Sequence, residues 1–225
     1  MTSWGFIGSG HIGSTVARLA VDAGHDVVMS NSRGPETLVD LVADLGPRAR
    51  AGTGEDAAAS ADVVVVTIPL GNYEQVPVEP LSGKVVIDTM NYYPGRDGRM
   101  APLDEGTTTS SELLQAHLPG SQVVKAFNNI YFEHLAALAR PSGDPERSAL
   151  TIAGDDPAAK ATVVGLLDEI GYDVVDLGPL SESWRVQPDT AAYGSMYAAD
   201  PSDWSAGPTP ADAATVSAAA ARTER

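Results

Sequence analysis

The sequence predicts an α/β chain built on a doubly wound parallel sheet. Three observations predict it. Short apolar runs alternate along the chain with segments whose apolar residues recur at helical spacing. The runs at 62–68, 84–89 and 122–127 are dominated by Val, Ile, Ala and Phe, as strands are when helices cover both faces of a parallel sheet. Gly or Pro closes most of the helical segments, as it should where a helix hands over to a strand. The succession βαβα implies right-handed crossovers.

In order, residues 4–8 read as a short buried strand. Ile12, Val16, Leu19, Ala20 and Ala23 follow at helical spacing, and Gly24 stops the helix. Residues 26–30 form a second strand. Pro35 opens a second helix with Leu38, Leu41, Val42 and Leu45 on one face, ended by Gly46 and Pro47. A short strand at 50–53 and a helix at 55–60 lead into the strand at 62–68. Residues 92–109, rich in Gly and Pro, read as a loop between the strands at 84–89 and 122–127, followed by a short helix at 111–118. A strand at 148–153, a helix opened by Asp156 and Pro157, and a last strand at 173–177 complete the pattern. After Gly178 it breaks down, although the alanines at 211–222 allow a helix that would bury little, either an arm docking on a partner subunit or a loosely held tail.

The chain of 225 residues suits one domain with an appendage. Residues 1–180 are expected to form the sheet domain and 181–225 a C-terminal loop and arm. There are 14 basic and 30 acidic residues, for a formal charge of −16. That balance argues against nucleic-acid and anionic-membrane partners. It also means that an anionic ligand must be met by local donors. The absence of cysteine removes disulfides, thiolate metal sites and thiol nucleophiles. No basic start with a long apolar stretch is present, and no run approaches membrane-spanning length. A soluble cytoplasmic protein is the expectation.

The strongest motif is Gly8-Ser9-Gly10-His11-Ile12-Gly13, placed between the first strand and the first helix. In that setting it reads as the turn of a Rossmann-type fold. Gly8 permits the tight bend, Gly10 admits a diphosphate close to the backbone, and Gly13 lets helix and sheet approach. Free N–H groups and the helix dipole then meet the anion. The end of the second strand, Ser30-Asn31-Ser32-Arg33, carries no carboxylate. Arg33 supplies a charged fork, with Asn31 and Ser32 as neutral donors, which suits the 2′-phosphate of NADP(H) rather than the bare ribose of NAD. As alternatives, Arg33 is a solvated charge and Ser32 a helix cap. Other strand ends should line the same crevice: Thr67-Ile68-Pro69, Thr89-Met90-Asn91 and Phe127-Asn128-Asn129. Asn91, Asn128 and Asn129 offer groups for a carboxamide or a flat heterocycle, or serve as turn formers. His11 either touches a phosphate or the nicotinamide ribose or caps the first helix.

Several segments resemble the NADPH-dependent coenzyme F420 reductases. They are Gly-Phe-Ile-Gly-Ser-Gly-His-Ile-Gly at 5–13, Ser-Asn-Ser-Arg-Gly-Pro-Glu-Thr-Leu at 30–38, Val-Lys-Ala-Phe-Asn at 124–128, Gly-Asp-Asp at 154–156 and Gly-Pro-Leu-Ser-Glu-Ser at 178–183. The resemblance runs over about residues 4–190 in matching order. It implies hydride transfer between NADPH and a deazaflavin ring, coenzyme F420, stacked on the nicotinamide. It also implies that the ring lies near Ala126, Phe127, Asn128 and Asn129, with Leu180 and Ser183 nearby, and that Thr67, Ile68 and Pro69 face the nicotinamide. A homodimer is a further implication. The segment at 92–108 and the chain beyond Asp189 depart from the family pattern.

Such chemistry needs two flat rings held together away from water and no activated side chain. The sequence shows no nucleophile with triad spacing and no metal-ligand cluster. A reductase of a small carbonyl, imine or quinone on the same nucleotide site would instead want a proton donor. Lys125 is a candidate, but its place in a strand sends its charge toward solvent or a carboxylate. A non-catalytic NADP(H)-binding module is the third reading. Tyr92 and Tyr93, with the chain up to Met100, form either a lid over the acceptor or an ordinary surface loop.

Overall fold

The computed structural model describes residues 1–223. The last two residues of the expected arm, 224–225, lie outside the described residues. Strand β1 (Ser3–Ile7) leads through helix α1 (His11–Asp22) to β2 (Asp26–Ser30), and α2 (Val39–Leu45) leads to β3 (Ala49–Ala51). The chain then returns through α3 (Gly54–Ser60) to β4 (Val63–Val66) and passes on to β5 (Val85–Asp88). Helices α4 (Pro94–Asp97), α5 (Ala101–Asp104) and α6 (Ser110–His117) precede β6 (Gln122–Lys125). After these come α7 (Phe132–Ala137), β7 (Ala149–Gly154), α8 (Pro157–Glu169), β8 (Asp173–Asp176) and α9 (Ala213–Ala221). The sheet order is β3-β2-β1-β4-β5-β6-β7-β8.

Alternation along each strand builds two cores. Phe6, Val65, Ile87 and Val124 point to one face, where Val16, Ala17 and Ala20 of α1 cover them. Ile7, Val64, Val66, Val86 and Val123 point to the other, under Leu114 and Leu118. Every valine of β4 is buried, which is why that strand reads as a continuous apolar run. The sheet is switched at β1, with β2 on one side and β4 on the other, so the carboxyl ends of β1, β2 and β4 open a crevice.

Three expectations need correction. The sheet is mixed, because β7 runs antiparallel to β6, with Val124 opposite Gly154 and Lys125 opposite Ala153. The helix between them, α7, packs on α1 and makes no return crossing, so the chain enters β7 at the end of the sheet where it left β6. α8 then supplies a proper crossover and β8 lies parallel to β7. The stretch at 92–109 is not simple loop, since it holds α4 and α5. The chain after Gly178 packs on its own sheet. Ala149 N donates to Ala211 O at 2.8 Å, the Tyr197 hydroxyl donates to Ala149 O at 2.7 Å, and Val216, Ala219 and Ala220 of α9 are buried. Among the described residues no helix is long and apolar enough to cross a membrane.

Candidate functional site

The crevice has two arms. The first encloses about 650 Å³ and runs from the β1–α1 turn to the ends of β2 and β3. The second, about 330 Å³, lies over the ends of β5 and β6. They meet at Gly10, Thr67, Ile68 and Pro69. Both volumes are in the range of small-molecule sites.

Backbone makes the first arm. Gly8 sits at φ +115°, and a Cβ there would fall 2.2 Å from Thr67 O, so only glycine closes this turn. Gly10 is the reverse case: a Cβ would meet nothing within 4 Å, so the space its missing side chain leaves belongs to the crevice. Gly10 is also the N-cap of α1 and gives no side-chain cap. The first amides of the helix therefore find no acceptor among the described residues, and this fits a diphosphate. Ser30 is committed to the fold, its hydroxyl donating to Phe6 O at 2.6 Å.

Asn31 lines the arm and also organises the turn. Its Oδ1 accepts from Arg33 N at 2.9 Å and its Nδ2 donates to Thr37 Oγ1 at 3.0 Å. Ser32 lines the arm. Arg33 does not line it but is exposed next to Ser32, and its guanidinium forms no ion pair among the described residues. The sequence reading missed Glu55. It is exposed in the first turn of α3 and lines this arm. Residues 30–33 hold no acid, yet the first arm does. The rule that strand ends line the crevice could have flagged it, since it follows β3 closely.

Side chains make the second arm. His11 stacks on Phe132 with centroids 4.3 Å apart and planes 17° off parallel. Tyr131, Trp204 and Tyr193 continue this aromatic wall. Opposite, Tyr93 and Arg96 come from the 92–109 segment. The hydroxyls of Tyr93 and Tyr193 hydrogen-bond across the arm, and Arg96 lies 4.8 Å from the Tyr93 ring centroid. Burial, then the bond to Tyr93, pushes the Tyr193 phenol above its ordinary pKa. Nothing in the sequence marked Tyr193 or Trp204, which lie beyond the recognisable pattern.

Asn91 and Asn128 do border the arm and pair with each other. Asn91 Nδ2 donates to Asn128 O at 2.7 Å, and Asn128 Nδ2 donates to Asn91 Oδ1 at 3.1 Å. Ala126 and Phe127, expected at the ring, are fully buried and offer it no surface. Leu180 and Ser183 are buried as well and do not line the crevice. Asn129 is spent on the fold, donating to Ala192 O at 3.0 Å. Lys125 has 1% exposure and bonds Asp88 Oδ2 at 3.0 Å, Ser110 Oγ at 3.2 Å and Met90 O. Burial pulls its pKa down while Asp88 opposes that shift. It lies beneath the arm and faces no substrate space.

The fold is of the Rossmann class. Residues 3–92 match the family model described as NADP oxidoreductase, coenzyme F420-dependent. A hypothetical protein, SMa0349, from Sinorhizobium meliloti superposes with a TM-score of 0.71 at 32% identity, over 83% of this chain and 90% of that one. A candidate F420-dependent NADP reductase from Arthrobacter sp. FB24 superposes with a TM-score of 0.69 at 27% identity, over 81% of this chain and 87% of that one. Among curated proteins, YjhV of Escherichia coli K12 is 43% identical over 53 residues, which are 24% of this chain and 39% of that protein. The chain belongs to the family of NADP oxidoreductases so described, and it is an NADP-dependent oxidoreductase.

Proposed function

We propose that this oxidoreductase passes a hydride between NADPH and a deazaflavin of the coenzyme F420 type. One observation carries the reading: the two arms meet at Gly10, Thr67, Ile68 and Pro69. A dinucleotide laid in the first arm with its diphosphate at the α1 amides ends where a flat acceptor in the second arm begins. When bound, NADPH supplies the hydride, so the chain needs no nucleophile. Gly8 to Gly13 hold the diphosphate, Arg33 and Ser32 take the 2′-phosphate, and Thr67 to Pro69 flank the nicotinamide. The His11–Phe132 stack and Trp204 form an apolar wall that excludes water from the acceptor.

A second reading has its own support. Tyr193 borders the second arm, where its hydroxyl would supply the proton that a small carbonyl or imine needs. Spectrophotometric turnover separates the readings. The deazaflavin reading expects NADPH oxidation with the oxidised deazaflavin and none with ketones, imines or quinones. The converse pattern favours the Tyr193 reading. NADPH binding without turnover against any acceptor would make the chain a non-catalytic module.

A further inference from the structure

Asn128 lines the second arm but is only 4% exposed. Its Nδ2 donates to Val186 O at 2.7 Å and to Asn91 Oδ1 at 3.1 Å. Both amide hydrogens are thereby used, and turning the amide over would set its oxygen against two acceptors. Oδ1 is therefore fixed, buried, and without a hydrogen bond from any described residue. A buried acceptor left this way carries a desolvation cost that a ligand's N–H would remove. Asn128 borders the crevice, and a ligand seated against it there is the source considered for the missing donor.

The backbone gives an independent sign. Phe127 sits at φ +62°, in the left-handed region that a bulky side chain adopts only when its surroundings hold it there. Its fully buried ring anchors the turn that brings Asn128 to the arm. Asn91 fixes that turn from β5 by donating to Asn128 O at 2.7 Å.

The geometry points to Asn128 Oδ1 as the acceptor for the carboxamide amino group of the nicotinamide, which would fix how the ring is turned toward its hydride partner. This rests on the reading of the crevice as an NADP(H) site. An imide N–H of a deazaflavin is the other source of such a donor, so the test is run with no hydride acceptor present.

Calorimetric titration of the full chain compares three ligands: NADP⁺, its 3-acetylpyridine analogue, in which methyl replaces the amino group, and adenosine 2′,5′-bisphosphate, which lacks the nicotinamide half. The wild-type chain is expected to bind NADP⁺ about tenfold more tightly than the analogue, the scale for a buried hydrogen bond lost with its partner left unpaired. In Asn128→Ala the two ligands should come within about twofold of each other, with the bisphosphate affinity unchanged. Equal binding of NADP⁺ and analogue by the wild type overturns the inference, and this comparison decides even if the variant fails to fold. Discrimination that persists in Asn128→Ala overturns it too. Failure to bind the bisphosphate would instead bring down the nucleotide reading beneath it.

Discussion

The first arm of the crevice is shaped by backbone turns at the ends of β1, β2, β3 and β4, whereas the second is made by side chains drawn from residues as far apart as His11 and Trp204. The first depends on what is missing at Gly8 and Gly10; the second depends on His11, Phe132, Tyr193 and Trp204 meeting at one place. A backbone site holds a fixed group, such as a diphosphate, with little dependence on neighbouring side chains. A side-chain site is reshaped whenever one contributing segment changes.

The largest effect that would sharpen this contrast lies under the second arm. Lys125→Met leaves Asp88 buried without its cation, and unfolding in urea should show a loss of about 3–5 kcal/mol. A loss below about 1 kcal/mol would mean that Ser111 Oγ and Met90 N, each 2.8 Å from the Asp88 carboxylate, satisfy it unaided. Next, Gly10→Val should leave stability within about 1 kcal/mol of wild type, because its Cβ meets nothing within 4 Å. It should weaken NADPH binding at least about 100-fold by filling the diphosphate space. Normal NADPH affinity in that variant would break the comparison, since the first arm would then not be a backbone site.

The smallest effect concerns the strap at 93–97. Burial works against the Asp97 charge, but hydrogen bonds from Arg96, Tyr93 N and Gly71 N, with the Arg96 charge, more than offset this and hold its pKa below the usual value. A lowered carboxylate contributes stability that is complete above its unfolded pKa, about 3.9, and disappears as pH falls through the folded value. The stability gap between wild type and Asp97→Asn should be constant above about pH 5 and close below about pH 4. A gap independent of pH would show that shape, not charge, holds the strap.

How far the sequence could be read follows the same division. The β1–α1 turn was legible because strand, glycines and helix are contiguous and each glycine has a steric reason. The buried strands were legible because β4 and β5 are apolar on both faces. The antiparallel β7 was not, because periodicity carries no direction and α7 does not announce that it packs on α1. Ala126 and Phe127 were misplaced because a strand end in sequence does not show that Phe127 turns left-handed and goes inward. Glu55 was missed because attention to 30–33 treated one strand end as the whole nucleotide pocket. Tyr193 and Trp204 carry no local pattern, and only tertiary contact brings them to the crevice.

The central claim of the proposed function is that Arg33, exposed beside the first arm, selects the phosphorylated nucleotide although Glu55 lines that arm. Titrating wild type and Arg33→Ala with NADPH and with NADH tests it directly. The account predicts that wild type binds NADPH about 100-fold more tightly than NADH and that the variant loses most of that preference with NADH affinity unchanged. Equal affinity of the wild type for the two would contradict it and would give the ribose to Glu55.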